Sequence, residues 1–225
     1  MNKTKVTIKA HRQVAKDTTQ VTFERPDDFK FLAGQYVKVT LPTLQYPDYR
    51  GASREFSICS PPYKADEFSV VFRNTNSGFK QTLTSLKPGA TVSVAGPFGF
   101  LTLPRSGQHI FIAGGIGIAP FRSMIHAAVY EDVGVNMRLL YANNSQKSAA
   151  YLGELQKLSA ESSRFKLHSI RGQITTPTIT RYVDDPLHVN WWIIGSPRMV
   201  ADVISILHSL GAPNAKLHTE EFVGY

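Results

Sequence analysis

A glycine-rich run in the second half of the chain is the clearest candidate for chemistry. The apolar stretch 109–113 leads into Gly114-Gly115-Ile116-Gly117-Ile118-Ala119-Pro120. Glycines let a pyrophosphate approach the backbone, and a proline can start a helix whose free N–H groups face the phosphates. The run therefore predicts a nucleotide-binding turn; close packing of a helix on a strand is the alternative.

A second candidate lies in the first half, at Arg54-Glu55-Phe56-Ser57. On a strand, Arg54 and Phe56 share one face and Ser57 points to the other. A guanidinium binds phosphate with two parallel hydrogen bonds, and a hydroxyl can donate to or accept from a ring nitrogen. The alternative is an exposed arginine beside a core phenylalanine.

A third candidate is the helix predicted over 78–86, which ends before Lys87-Pro88-Gly89. Free N–H groups and the positive end of the helix dipole make its start a possible anion site. An ordinary capped helix is the alternative, with Lys80 as a surface charge.

The elements that must position these residues differ between the two halves of the chain. In the first half, short β-branched or aromatic stretches alternate with turns and predict a small antiparallel barrel with one short helix. Its strands are expected at 6–10, 20–23, 36–41, 56–59, 68–72 and 91–95.

After Gly107, apolar strands alternate with amphipathic helices, which predicts a parallel sheet with ligands at the carboxyl ends of its strands. The strands are expected at 109–113, 137–141, 165–170 and 191–194, and the helices from 120, around 152–158 and over 197–210. The prediction is therefore a two-domain chain, with an antiparallel β-barrel over 1–104 and an α/β nucleotide-binding domain over 105–225.

Composition narrows the possible functions. Hydrophobic residues make up 42% and charged residues 19% of the 225 residues, which is typical of a globular protein. Cys59 is the only cysteine, so the chain has neither a disulfide nor the thiolates that an iron–sulfur cluster needs. The seven histidines show no metal-site spacing. The net charge of +8 favours an acidic partner, and no nucleic-acid-binding motif is found.

Segments 54–57, 78–83, 96–99, 109–120 and 193–199 resemble, in the same order, the motifs of the ferredoxin-NADP reductase superfamily. The resemblance covers nearly the whole chain. It implies a flavin-binding barrel followed by a domain that binds the nicotinamide nucleotide, with FAD and NAD(P)H as cofactors. The turn 96–99, Gly-Pro-Phe-Gly, is expected to support the fold through glycines with positive φ.

For the flavin, the resemblance implies that Arg54 pairs with phosphate and that Phe56, where the family usually has Tyr, stacks near the isoalloxazine. It also implies that the Ser57 hydroxyl reaches the redox edge of the ring. The second phosphate-binding segment would comprise Gly78, Phe79, Lys80, Gln81 and Thr82.

For the nicotinamide nucleotide, the resemblance implies binding by the glycine-rich turn, namely by Gly114, Gly115, Gly117, Ile118 and Pro120. Asn143 and its neighbour Asn144 suit the ribose hydroxyls and favour NADH, whereas Lys147 could contact a 2′-phosphate. Polar turn residues without a ligand are the alternative.

The segment 193–199 implies that Gly195 lets the nicotinamide come close and that Met199 packs in the following helix. Ile194 stands where the family has Cys, and Ser196 replaces a Pro. The Cys lies near the hydride-transfer site in relatives, so its absence puts the usual geometry of that step in doubt.

In relatives, an acidic and an aromatic residue of the terminal segment lie against the flavin. Glu220 and Phe222 are the expected counterparts, with Tyr225 as the other aromatic candidate. A strand at the edge of the sheet, or a frayed end, is the alternative.

The implied activity is that of a flavoprotein reductase, an enzyme that passes a hydride from NAD(P)H to FAD and then electrons to a separate acceptor such as ferredoxin, flavodoxin or an oxygenase component. A free-flavin reductase and a non-catalytic regulatory module that binds flavin or nucleotide are the alternatives. We further expect a cytoplasmic monomer with an acidic redox partner, without a membrane span, nucleic acid or metal.

Overall fold

The computed structural model describes residues 3–222. Contacts divide this part of the chain into two compact units. The first extends to Leu103 and includes Arg122–Ala127, and the second comprises Pro104–Phe121 and the chain from Ala128 onward. Within the described residues, no helix is long and apolar enough to cross a membrane.

The first unit is built on one antiparallel sheet of six strands. These are β1 (Thr4–Ala15), β2 (Thr18–Glu24), β3 (Tyr36–Thr40), β4 (Ser53–Ser57), β5 (Glu67–Arg73) and β6 (Thr91–Phe98), in the order β4-β3-β6-β1-β2-β5. The edge strands meet only through an isolated bridge between Ile58 and Val70, so hydrogen bonds do not close the sheet into a complete barrel. Helix α1 (Gly78–Ser85) follows β5.

Alternation of apolar and polar residues explains how the sheet of the first unit acquires a core. In β3, Val37 and Val39 are fully buried whereas Lys38 between them is exposed. The inward residues pack with the ring of Phe79 from α1 in one hydrophobic cluster. The helix is thereby fixed beside β4, where the sequence predicts the flavin site.

The second unit contains a parallel sheet of five strands. These are β7 (Gln108–Gly114), β8 (Asn136–Asn143), β9 (Phe165–Arg171), β10 (Asn190–Gly195) and β11 (Leu217–Glu221), in the order β11-β10-β7-β8-β9. Helices α2 (Ile118–Tyr130), α3 (Leu152–Glu161), α4 (Thr176–Tyr182) and α5 (Pro197–Ser209) connect them. The run Ile110–Ala113 is wholly buried, as expected for a strand covered on both faces.

The fold class predicted from the sequence is confirmed, with three local differences. Helix α2 begins at Ile118 after a 3-10 turn over Gly115–Gly117, so Pro120 lies inside the first turn and does not start the helix. Strand β6 continues through Gly96 and Pro97 to Phe98, although Gly96 and Gly99 do have the expected positive φ. The sequence analysis missed α4 because it is short and rich in threonine; it is capped by Thr175.

Candidate functional site

The predicted flavin residues of the first unit lie on β4 and at the start of α1. Ser57, at the end of β4, is 6% exposed, and its hydroxyl has no hydrogen-bond partner among residues 3–222. Phe56 packs against Phe72 and Phe79, with ring centroids 5.4 and 5.9 Å apart, and is 9% exposed. The Ser57 hydroxyl is therefore available to a ligand, whereas Phe56 presents only a small part of its ring.

The Arg54 guanidinium is already bound by the protein. Its Nη1 donates to the carbonyl oxygens of Arg50, Gly51 and Ser53 at 2.7–2.9 Å, and its Nη2 forms an ion pair with Asp48. It also lies 5.3 Å from the centre of the Phe79 ring. In this structure Arg54 organises the loop before β4, and its contact with flavin phosphate stays a prediction.

Asp48 is a functional candidate that the sequence analysis did not identify. Its Oδ2 accepts hydrogen bonds from the Ser77 hydroxyl at 2.7 Å and from the Phe79 N–H at 2.9 Å. Burial would raise the pKa of this carboxyl, but the Phe79 and Ser77 bonds, the Arg50 N–H and the Arg54 charge outweigh burial and hold it well below its ordinary value. Asp48 is therefore an ionised carboxylate at the start of α1.

The other predicted residues of α1 are mostly buried. Phe79 and Thr82 have no exposed surface, and the Thr82 hydroxyl accepts hydrogen bonds from the backbone N–H groups of Gln45 and Tyr46. Lys80 is 8% exposed; burial, then the charges of Arg50 and Arg54, lower its pKa to about 8. Gln81 is exposed.

A flavin diphosphate does not fit at the start of α1 as the structure stands. A side chain on Gly78 would collide with the carbonyl oxygens of Tyr46 and Pro47, so the loop before β4 lies directly on the helix end. The contacts predicted for Gly78, Phe79 and Thr82 stay predictions and would require this loop to move. The contact of the Ser57 hydroxyl with the flavin ring also stays a prediction.

In the second unit, the predicted residues meet at the carboxyl edge of the parallel sheet. Gly195 ends β10 and Gly114 ends β7, and the Met199 sulfur lies against both, 2.6 Å from the position that a Cβ would take on Gly195. Ser196 caps α5 by accepting the Met199 N–H, which explains a serine at the place of the family's proline. The two glycines form a cradle that a flexible thioether fills.

Different contacts explain why two positions of the glycine-rich turn are glycine. Gly115 has a φ of +52°, and its carbonyl accepts a hydrogen bond from the buried Tyr141 hydroxyl at 3.1 Å. A side chain on Gly117 would collide with the Ile194 carbonyl, so this glycine permits close packing. Ile118 and Pro120 are buried. The N–H of Ile118 bonds the carbonyls of Gly115 and Ile116.

Asn143 has an unusual environment at the end of β8. It is 8% exposed, yet neither Oδ1 nor Nδ2 of its buried amide has a hydrogen-bond partner within the part of the chain that the structure describes. Arg171, which the sequence analysis did not consider, lies beside it at the end of β9 and is exposed. An unsatisfied buried amide next to a cation fits the hydroxyls and phosphate of an adenosine ribose.

The terminal strand brings the last candidates to the same edge. The Phe222 N–H donates to the Gly195 carbonyl at 2.9 Å, and Glu220 pairs with Ile194, which is fully buried. Burial raises the pKa of Glu220 to about 7. The prediction for Tyr225 falls outside the described residues.

Two family models match the chain. An oxidoreductase FAD-binding domain matches residues 5–103, and an oxidoreductase NAD-binding domain matches residues 111–203. Among curated relatives, ferredoxin-NADP reductase B of Sorangium cellulosum is 29% identical, over 95% of this chain and 95% of its own length. The ferredoxin reductase component of the 3-ketosteroid-9-alpha-monooxygenase of Rhodococcus rhodochrous is 27% identical, over 96% of this chain and 64% of its own length.

Solved structures show the same fold. A cytochrome P450 reductase of Amycolatopsis superposes with a TM-score of 0.83 at 21% identity, over 98% of this chain and 70% of its own length. The cytochrome b5 reductase domain of Ulva prolifera nitrate reductase superposes with a TM-score of 0.83 at 19% identity, over 97% of each chain. The two family models together match most of the chain, and on that basis it belongs to the ferredoxin-NADP reductase superfamily and is an NAD(P)H-dependent flavoprotein oxidoreductase with FAD and NAD(P)H as cofactors.

Proposed function

We propose that the protein takes a hydride from NAD(P)H onto FAD and delivers the electrons to a separate acceptor, such as ferredoxin, flavodoxin or an oxygenase component. The flavin supplies the change from two-electron to one-electron chemistry, and the chain supplies binding and orientation. The observation that carries this proposal is the carboxyl edge of the second sheet, where the Gly114–Gly195 cradle and the unsatisfied Asn143 amide lie on neighbouring strands.

The strand order supports a proposed assignment of the residues at this edge along an extended nucleotide. We propose that the nicotinamide end lies at Gly195, because the nearest group to the space beside it is the flexible Met199 thioether. We place the adenosine ribose at Asn143, where its hydroxyls would satisfy the amide, with Arg171 beside it. Gly114 lies between them and would let the phosphates approach the backbone.

Three groups have properties suited to a reacting flavin ring. The Ser57 hydroxyl, for which residues 3–222 provide no partner, would hydrogen-bond a ring nitrogen and orient the ring. Glu220, whose pKa is raised to about 7, carries a proton on its carboxyl in a large fraction of molecules at neutral pH and can then donate a hydrogen bond. Phe222, held by its backbone at Gly195, is the aromatic candidate for covering the ring.

The acceptor is proposed by class only. A relative is named as the ferredoxin reductase component of an oxygenase, and the net charge of +8 favours an acidic protein. Turnover with such a protein should fall as ionic strength rises, because salt screens the attraction over about 8 Å at physiological ionic strength. A flat response would show that the basic surface has no part in docking.

A free-flavin reductase is the second candidate, and one observation favours it. Asp48 and the loop carbonyls fill the start of α1, which would weaken the hold on a flavin diphosphate. Gel filtration separates the two functions, since a protein-electron-transfer reductase keeps its flavin through the column. A chain that loses its flavin yet reduces added flavin with NADH or NADPH is a free-flavin reductase.

A further inference from the structure

The loop between β3 and β4 inserts a carboxylate into the place predicted for the flavin phosphate. The Asp48 side chain is 4% exposed. It accepts hydrogen bonds from the Ser77 hydroxyl, the Phe79 N–H and, at 3.0 Å, the Arg50 N–H, and it pairs with Arg54. A phosphate at a helix start would use the same kinds of partner: free N–H groups, a hydroxyl and a guanidinium.

Three N–H groups of the first turn of α1, those of residues 79–81, have partners within the chain. The Phe79 N–H donates to Asp48, the Lys80 N–H to the Ser77 hydroxyl oxygen at 3.4 Å, and the Gln81 N–H to the Ser77 carbonyl at 3.0 Å. Few groups remain to bind an incoming phosphate. A phosphate at this position would have to displace Asp48.

The loop is held on α1 by more than the carboxylate. The backbone N–H groups of Gln45 and Tyr46 donate to the Thr82 hydroxyl at 3.0 and 3.3 Å, and the Ser85 hydroxyl donates to the Gln45 side chain at 2.8 Å. The carbonyls of Tyr46 and Pro47 leave no room for a Cβ on Gly78. Moving Asp48 would therefore break several contacts.

Charge at this position favours an anion, and Asp48 supplies it. Three cationic residues, Arg50, Arg54 and Lys80, act on the site, and Asp48 is the carboxylate that acts on Lys80. A phosphate beside an ionised Asp48 would meet like-charge repulsion, whereas an uncharged residue at 48 would remove that repulsion and the ion pair with Arg54.

We propose that Asp48 is a specificity-determining residue for the flavin: its carboxylate takes the phosphate position at the start of α1 and limits how much the flavin phosphates add to affinity. This inference rests on the proposed function, because it concerns the same flavin site. It predicts that the chain distinguishes poorly between FAD and riboflavin, which lacks phosphate.

The test measures the Kd of FAD, of FMN and of riboflavin for the whole chain. Bound flavin is removed first, and the binding of each added flavin is then followed by the quenching of its fluorescence. In the wild type, the Kd of riboflavin should be within about tenfold of the Kd of FAD, since a full set of charged hydrogen bonds to phosphate would exceed that ratio. A larger ratio overturns the proposal.

Asp48→Asn removes the charge at almost constant shape. It should raise the riboflavin-to-FAD ratio of Kd values at least about threefold, because the like-charge repulsion is gone and the Arg54 charge is no longer paired with Asp48. A smaller rise or a fall overturns the proposal. The matched control is Asp66→Asn, an exposed carboxylate of the same unit paired with Lys9, which should leave the ratio unchanged.

If Asp48→Asn fails to fold, the riboflavin-to-FAD ratio of Kd values in the wild type still tests the proposal. Failure of the proposed function looks different. If none of the three flavins binds the wild type, both proposals fall; if FAD binds far more tightly than riboflavin and NAD(P)H reduces it, only the role of Asp48 is rejected.

Discussion

The Met199 sulfur lies against Gly195, 2.6 Å from where a Cβ would stand on that glycine. Gly195→Ala should therefore push the thioether away from the cradle and narrow the space for the nicotinamide. We expect the KM for the nicotinamide nucleotide to rise about tenfold, equal to about 1.4 kcal/mol, while flavin content stays unchanged. Steady-state kinetics and the flavin-to-protein absorbance ratio measure both.

Gly153→Ala is the matched control for this variant. An added Cβ on Gly153 meets nothing within 4 Å, and the residue lies in α3, where alanine is the better helix former. It should leave the KM unchanged. An unchanged KM in Gly195→Ala as well would place the nicotinamide elsewhere.

Asn143→Leu should change stability and nucleotide affinity in opposite directions. An unsatisfied buried amide costs about 1–3 kcal/mol, so its replacement by an apolar group of similar size should raise the Tm of the nucleotide-free protein by several degrees. The same change removes the proposed ribose contact and should weaken NADH binding about tenfold. Calorimetry and nucleotide titration check the two effects.

Asn136, exposed at the start of β8, provides the control, since Asn136→Leu should neither raise the Tm nor weaken NADH binding. If Asn143→Leu lowers the Tm, the amide has a structural partner and the ribose assignment loses its basis.

Arg171→Ala tests the discrimination between the two nucleotides. Arg171 lies beside Asn143 in the register of β8 and β9, so its charge would act on a 2′-phosphate. We expect the KM for NADPH to rise about tenfold and the KM for NADH to stay within about twofold. Lys166→Ala, an exposed cation on the same strand, should change neither. Equal effects on both nucleotides would contradict the placement.

Glu220→Gln should alter the pH profile. Burial raises the pKa of Glu220 from 4.5 to about 7, so the carboxyl is protonated in the folded protein between those pH values. The free energy of unfolding therefore falls as pH rises through that window. If the protonated form supports turnover, kcat should fall as pH rises through about 7, and the glutamine variant should lose that limb. Glu221→Gln, at the exposed neighbouring position, should keep it.

His109 makes the second unit sensitive to acid. It is fully buried, its Nδ1 accepts a hydrogen bond from Trp192 Nε1 at 3.2 Å, and burial lowers its pKa to about 4. In the unfolded chain this histidine binds a proton near pH 6.5. The free energy of unfolding is therefore unaffected by His109 above that pH and falls by roughly 3 kcal/mol as pH decreases toward 4.

His109→Gln does not titrate and should flatten this part of the stability curve relative to the wild type. Denaturant unfolding at pH 7.5 and pH 5 measures the difference. The same pH dependence in both proteins would show that His109 is not the responsible group.

The sequence predicts most of the fold because its signals are local. The apolar run before Gly114 predicts strand β7 to within a few residues. In the same way, the proline and glycine after α1 predict where that helix ends. The Gly115 turn and the position of Asn143 at the end of β8 follow from the same local reading.

The remaining features depend on contacts between distant residues. Asp48 reaches Phe79 from 31 positions away, and nothing in the loop sequence indicates that its carboxylate caps α1. Arg171 lies beside Asn143 only through the register of two parallel strands. The burial that raises the pKa of Glu220 depends on packing around β11, which a terminal segment does not reveal.

The central claim is tested most directly by anaerobic titration of the purified protein with NADH and with NADPH while the flavin absorption is recorded. We expect a yellow protein whose flavin bands bleach with about one equivalent of nucleotide and return when an electron acceptor is added, as hydride transfer to a bound flavin requires. A protein that binds nucleotide but whose flavin is not bleached by either one would contradict the account and favour a regulatory module.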